Sequence, residues 1–368
     1  MNRLVIDARE SGTSTGRYID NLIKYLSKLN PEFEIVLLAK PHRAEHYKKI
    51  APNFNVIKTS YQEFTFSEQL GLWRQLRKIK PDLVHFGMPQ QPILYRGKSV
   101  TTIHDLTTAR FKNPSKNAVL FTIKQLIYKW VVKIVANKSA TIITPSKFVK
   151  KDIANFTRMP QGKITVIHEA ADRIQDAAEP FKILQGQPFI MYVGRPQPHK
   201  NLQRLVLAFS ELKNKHPELK LVLVGKNDTL FEQLEVFVQK QKIADVVFSG
   251  FVSEGTLRWL YEHTAVYVFP SLSEGFGLPG LEAMAQGTPV ASSNATCLPE
   301  VYGDAAHYFN PLDVHDMASK INEVLTSEKL RKELIAKGQE QVKKYSWQKM
   351  AEQTLEIYRK VLNSKSSN

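Results

Sequence analysis

Short apolar runs rich in β-branched residues alternate with longer stretches of helical period along almost the whole of this chain. In the first half the runs cover residues 4–8, 35–39, 56–59, 83–86, 100–103, 141–144 and 164–167. Between them, residues 16–29, 67–79, 116–138 and 147–156 repeat their apolar positions with a helical period. The runs are continuously apolar rather than alternating, so both faces of each strand need cover. That is the condition of a parallel sheet flanked by helices, and it sets the class as α/β. Residues 170–188 break the pattern with four alanines, several charges, Gly186 and Pro188, and read as an interdomain connection. A second series follows, with strands at 189–193, 219–224, 246–248, 265–269 and 289–292 and helices at 202–215, 230–241, 254–263 and 278–286. From residue 313 the chain is helical and charged, and Ser346 suits the N-cap of a last helix ending near Leu362. Two successive series predict two doubly wound parallel-sheet domains facing across a cleft, with ligands at the C-terminal edges of the sheets.

Composition narrows the classes of function. The 368 residues, 43% hydrophobic and 23% charged, suit two ordinary cores and not a disordered chain. A single cysteine, Cys297, excludes an internal disulfide framework and a thiolate zinc cluster, and a reducing compartment follows as the expected location. Met1-Asn2-Arg3 followed by Leu-Val-Ile-Asp reads as a first strand rather than a signal peptide. No window reaches the roughly 20 uninterrupted apolar residues of a membrane span, so the expectation is a cytoplasmic protein, soluble or peripheral on the inner face of the plasma membrane. The formal charge of +16 is uneven: residues 1–168 hold 28 Lys and Arg against 11 Asp and Glu, whereas residues 169–368 hold 23 against 24. The basic half fits either an anionic partner or a solvated basic surface.

The segment richest in chemistry is Pro270-Ser-Leu-Ser-Glu-Gly-Phe-Gly-Leu-Pro-Gly-Leu-Glu-Ala-Met-Ala-Gln-Gly-Thr-Pro-Val290. A buried strand ends before it and a helix is expected from Leu278. Gly275 and Gly277 let backbone approach a ligand without Cβ obstruction, and amides at the helix start suit an anion. Glu274 at the loop mouth and Glu282 one turn into the helix can each accept hydrogen bonds from hydroxyls. Spacing alone is met by a polyol–phosphate ligand, and equally by a capping loop with two solvated glutamates.

Glu274, seven residues, then Glu282, set in Ser-Glu-Gly-Phe-Gly-Leu-Pro, resembles the signature of glycosyltransferase family 4, whose members have the GT-B fold. Gly194-Arg195 with Lys200-Asn201, Pro145-Ser146-Lys147-Phe148, Leu298-Pro299-Glu300-Val301 with Gly303-Asp304-Ala305-Ala306, and Ser346-Trp347 are similar to further motifs of that family. The resemblance spans nearly the whole chain. It implies two Rossmann-like domains: an acceptor domain at 1–170, a connection at 171–188, a donor domain at 189–345, and a C-terminal helix at 346–368 crossing back to the first. It also implies roles: Glu274 on the hydroxyls of a donor hexose, Glu282 on the nucleotide ribose, and Arg195 and Lys200 on the diphosphate without need of a metal or other cofactor. By themselves, these two cations near a helix start oppose its dipole. Gly275, Phe276, Gly277 and Leu278 then line the donor, as does Val252, near which backbone contacts select the base. The loop Ser11-Gly12-Thr13-Ser14-Thr15-Gly16-Arg17 resembles the family's glycine-rich donor loop through Gly12 and Gly16, although relatives often carry adjacent glycines at its start. His104, after the run 100–103, resembles the position that meets the donor sugar near the reacting carbon. Read alone, His104-Asp105 equally fits a structural hydrogen bond.

Residues 112–151 mix Phe121, Leu126, Ile127, Trp130, Val131 and Val135 with Lys116, Lys124, Lys129, Lys133 and Lys138. A basic amphipathic helix on an anionic membrane and an ordinary packed helix with a basic rim both fit. The aromatics lack the spacing of a base-stacking platform, so nucleic acid is not an expected partner. The resemblance implies a retaining enzyme that moves a hexosyl unit from a nucleoside-diphosphate sugar to a glycan or lipid-linked acceptor, with retention by same-face attack through an oxocarbenium-like state. The runs Gly16-Arg17-Tyr18-Ile19 and Ile103-His104-Asp105-Leu106 look most like bacterial mannosyltransferases using GDP-mannose, in polysaccharide biosynthesis. A UDP-sugar-dependent transferase, a sugar-nucleotide epimerase on the same fold, and a non-catalytic binder of sugar nucleotides or nucleic acid are the alternatives.

Overall fold

The computed structural model describes residues 1–13, 15–63, 65–111, 118–184 and 186–364. Ser14 of the first loop, Lys112 and Lys116 of the basic stretch, and Gln185 of the connection lie outside the described residues. The chain divides into two compact units, one of residues 1–109, 123–169 and 346–368, the other of residues 110–122 and 170–345.

The first unit is built on seven strands: β1 Arg3–Asp7, β2 Glu34–Ala39, β3 Asn55–Lys58, β4 Leu83–Phe86, β5 Ser99–Thr102, β6 Thr141–Thr144 and β7 Ile164–Val166. All pair in parallel, in the order β3-β2-β1-β4-β5-β6-β7. Leu4, Val5 and Ile6 of β1 are fully buried, as continuous apolar runs require of a central strand. Helix Gly16–Lys28 turns Tyr18, Ile19, Leu22, Ile23 and Leu26 inward at helical spacing, and it packs against the last helix, Trp347–Asn363. That last helix also completes a buried polar chain. The imidazole of His85 bonds the Tyr358 hydroxyl through Nδ1 and Thr102 Oγ1 through Nε2 at 2.8 Å, and Thr102 lies 3.0 Å from the Tyr18 hydroxyl. Burial, aided by His104, pushes His85 down to about 3, so this imidazole is neutral and serves the core.

The second unit has six parallel strands: β8 Phe189–Val193, β9 Lys220–Val224, β10 Val246–Gly250, β11 Val266–Phe269, β12 Val290–Ser293 and β13 Ala306–Phe309. Their order, β10-β9-β8-β11-β12-β13, repeats that of the first sheet without its seventh strand. Strand β13 is absent from the sequence-based set. Ala-His-Tyr-Phe is short, and its middle residues His307 and Tyr308 are half-buried, so this edge strand lacks the continuous apolar signal of its neighbours. The charged tail is three helices, Val314–Thr326, Glu328–Lys343 and Trp347–Asn363, begun in turn by the capping side chains of Asp313, Ser327 and Ser346. Among the described residues no helix is long and apolar enough to cross a membrane.

In each sheet the order reverses at one point, between β1 and β4 and between β8 and β11. There the loops leaving neighbouring strand ends diverge to opposite faces and open a crevice at the C-terminal edge.

Candidate active site

In the second unit the residues after β8 and after β11 meet at that crevice. The turn Pro198–Lys200 is stitched to the β11 loop, with the Leu272 amide donating to the His199 carbonyl at 2.7 Å. Asn201 sits at φ +62° and opens helix Leu202–Lys213. It is buried, and its amide donates to the Pro270 and Pro311 carbonyls at 3.1 and 2.7 Å. Of the pair Lys200-Asn201, Asn201 therefore holds loops together, and Lys200 is the residue turned to the site. Its ammonium lies 2.6 Å from Glu274 Oε1, in a pair that is mostly shielded from solvent. Glu274 is fixed in turn by its own backbone: its amide donates to Thr296 Oγ1 at 3.2 Å, and its carbonyl accepts from the Cys297 thiol at 3.3 Å.

The glycines of this loop do different work. Gly277 occupies φ +87° as the N-cap of helix Leu278–Ala285, and a Cβ there would stand 2.5 Å from the Tyr302 hydroxyl. That hydroxyl donates to the Gly277 carbonyl, so Tyr302 and Gly277 fix the helix start together. Phe276 is buried edge-on to Tyr345, which leaves its backbone rather than its ring for a ligand. Gly275 precedes it, and Leu278, half-buried, opens the helix. Glu282 is half-buried in the second turn, and its carbonyl accepts from the Gln286 amide at 3.2 Å. Val252 follows β10 as a half-buried residue beside the exposed Phe251.

Arg195 follows Gly194 at the end of β8 and pairs with Asp228, the N-cap of helix Thr229–Lys240. Burial alone would raise the Asp228 carboxyl, but that pairing and the capping amides together hold it below its usual range. The sequence placed Arg195 and Lys200 as cations set against a helix dipole. The structure gives each a carboxylate, Asp228 for one and Glu274 for the other, which offsets that repulsion. Glu274 was among the sequence-derived residues and Asp228 was not, although an Asp immediately before Thr229-Leu-Phe-Glu carries the signature of an N-cap.

In the first unit His104 follows β5, and its Nδ1 lies 2.8 Å from Glu169 Oε1. The Tyr18 ring meets the imidazole edge-on at 4.8 Å between centroids. Burial works against the charged imidazole, but the hydrogen bond and charge of Glu169, with Asp105 and a backbone contact at Gly87, raise its pKa overall. Asp105 itself accepts from the Thr107 amide at 2.7 Å and caps the short helix Thr107–Arg110. Glu169 carries no signal in the sequence, because it follows β7 where the pattern gives way to the connection. The first loop is braced from outside: Arg43 donates to Ser11 at 2.8 Å and pairs with Asp20, while Gly12 at φ +80° lies against the Arg43 side chain. Gly16 is required sterically, since a Cβ would fall 2.0 Å from the Glu10 carbonyl oxygen. At the end of β1, Arg9 is fully buried between Asp7 at 2.7 Å and Glu68 at 2.8 Å. Among the described residues no group of three or more His, Cys, Asp and Glu is placed to hold a metal ion.

Two family models match consecutive parts of the chain, "Glycosyltransferase Family 4" over residues 15–173 and "Glycosyl transferases group 1" over residues 174–341. The O-antigen chain mannosyltransferase B of Escherichia coli is 31% identical over 280 residues, covering 71% of this chain and 70% of that one. The chain belongs to glycosyltransferase family 4. The serotype-specific mannosyltransferase WbdA of Escherichia coli is 34% identical over 221 residues, 58% of this chain, yet the match spans 26% of that longer protein. Among solved structures, Anabaena HepE in complex with UDP and glucose superposes with a TM-score of 0.76 at 15% identity, over 98% of this chain and 100% of that one. The two parallel Rossmann-like sheets are thus those of GT-B glycosyltransferases, and the family-4 protein is a glycosyltransferase enzyme.

Proposed function

We propose that this glycosyltransferase moves a mannosyl unit from GDP-mannose to a glycan or lipid-linked acceptor with retention of the anomeric configuration. The observation that carries the donor reading is the Lys200–Glu274 pair at the β8/β11 reversal, with Arg195 on the same strand end. A carboxylate that accepts from sugar hydroxyls and cations that take phosphate oxygens are what a sugar diphosphate asks of a site. In this reading Glu274 holds hexose hydroxyls and Glu282 the ribose. Gly275, Phe276, Gly277 and Leu278 supply backbone along the donor, and Val252 borders the base. As the bond from the anomeric carbon to the diphosphate oxygen breaks, negative charge grows on the leaving group, and Arg195 and Lys200 stabilise it without calling on a metal. In the same reading His104, oriented by Glu169, serves the sugar near the reacting carbon, and the Gly12–Gly16 loop serves the donor. The relatives' mannosyltransferase names support mannose. A UDP-sugar is the second reading, supported by the UDP and glucose held by the structural neighbour. The proposed setting is the cytoplasmic face of an anionic membrane, supported by the basic excess of residues 1–168.

The test is a panel of nucleotide sugars, followed by thermal stabilisation and by slow donor hydrolysis. A shift with GDP-mannose and release of GDP is the expected result. A shift with a UDP-sugar alone replaces the donor. Absence of any shift with every donor and with free GDP and UDP overturns the assignment of Glu274 and Lys200 to a donor site.

A further inference from the structure

We propose that the outward face of helix Ala118–Lys138 is a docking surface for an anionic phospholipid bilayer. The helix is apolar on two sides. Tyr128, Val132 and Ala136 turn into a core with Ile103, Ile142 and Ile153. On the opposite side Ile123, Leu126, Ile127 and Trp130 are 49%, 60%, 53% and 56% exposed. Those four positions, at steps of three, one and three, fall within one narrow stripe of an α-helix. The stripe continues into a shallow groove of about 660 Å³ lined by Trp130, Lys133, Ile134, Asn137 and Lys138. A soluble surface seldom leaves so many large apolar side chains contiguous unless something covers them.

Charge identifies the cover. Lys124 lies on one flank of the stripe and Lys129 and Lys133 on the other, by the 100° step of the helix. Lys138 is committed instead to the loop beside it, donating to the Pro92 carbonyl at 2.7 Å. Residues 106–163, which contain the helix, carry twelve Lys and Arg and a single acidic residue, Asp152. Two copies pressed face to face would bring these like charges together, whereas an anionic bilayer supplies their counter-charge and accepts the apolar stripe between its head groups. Trp130, at the C-terminal end of these four, has the amphipathic ring favoured at such a boundary. This surface deepens the membrane setting of the proposed function and uses none of the donor-site residues.

The experiment is sedimentation of the full chain with vesicles of pure phosphatidylcholine and of equal parts phosphatidylcholine and phosphatidylglycerol, without donor. Partition onto the mixed vesicles should exceed that onto the neutral ones by about tenfold or more and weaken with salt. Leu126→Gln combined with Trp130→Gln should lower that partition by about tenfold or more. Lys129→Gln combined with Lys133→Gln should lower it several-fold, and Lys329→Gln combined with Lys332→Gln on the other unit should leave it unchanged. Thermal unfolding and nucleotide-sugar binding in solution, measured on the same variants, should match the parent. Failure of donor binding and failure of vesicle binding are therefore read separately. The proposal is overturned by equal partition onto both vesicle types, or by an apolar-face variant that partitions like the parent. It is also overturned if that variant converts a dimer to a monomer by light scattering while vesicle binding persists, which would assign the face to a second copy.

Discussion

The two sheets share one strand order and treat charge in opposite ways. In the second unit the β8/β11 reversal carries Lys200, Glu274 and Arg195 in side-chain pairs that a ligand can reach, and Arg195 itself is about half exposed. In the first unit the corresponding edge of β1 locks Asp7, Arg9 and Glu68 away from water entirely, and the exposed basic residues lie elsewhere. The half of the chain with the large positive excess therefore lacks the candidate phosphate cations, and the near-neutral half holds them. Net charge reports on a surface and its long-range partner. A site for a small anion is built by two or three side chains whose positions are set by strand ends.

The comparison can be broken most severely at Arg9. Arg9→Met removes the buried guanidinium that Asp7 and Glu68 share, and chemical denaturation should show a loss of about 3–5 kcal/mol. A loss under about 1 kcal/mol would mean that water reaches this pair and that the contrast in burial is false. In the second unit Lys200→Ala should lower turnover by about 10²–10³ with little effect on the unfolding temperature, as expected for lost stabilisation of a leaving group. Unchanged turnover would remove Lys200 from the reaction. The gentlest probe is the His104–Glu169 pair. Its raised imidazole pKa means that the pair's stabilisation is fully present below the ordinary histidine value of about 6.5 and is lost as pH rises through the folded-state value. Glu169→Gln should move the His104 titration, followed by NMR of the ring protons, toward lower pH. A midpoint that stays in place would show that Glu169 does not hold the charge.

Much of this was open to reading in the residues. Continuous apolar runs such as Leu4-Val-Ile and Met191-Tyr-Val193 announce central parallel strands, because a strand covered on both faces has no polar positions to spare. The edge strand Ala306–Phe309 was silent for the converse reason, since half its residues face partly outward. The spacing of Glu274 and Glu282 announced a family, and the matched family models and relatives support the same assignment. The helix Ala118–Lys138 was legible as a helix, but not for which side it buries. With apolar residues on both sides, periodicity alone gives no single inward face.

The succession of strands and helices along the chain, the glycine positions and the identity of the charged residues near each strand end are fixed locally, and the sequence by itself determined them; the order of strands within each sheet came from the tertiary structure. Propensity, period and cap chemistry act over a few residues and leave their mark in the text of the chain. The tertiary structure alone also decided partnership. Arg195 with Asp228, His104 with Glu169, Lys200 with Glu274 and Arg9 with Glu68 are separated by 33, 65, 74 and 59 residues, and no local rule reaches that far. Each pair exists because parallel strands return their C-terminal ends to one edge, and for the buried Arg9 pair burial makes an unpartnered charge too costly to keep.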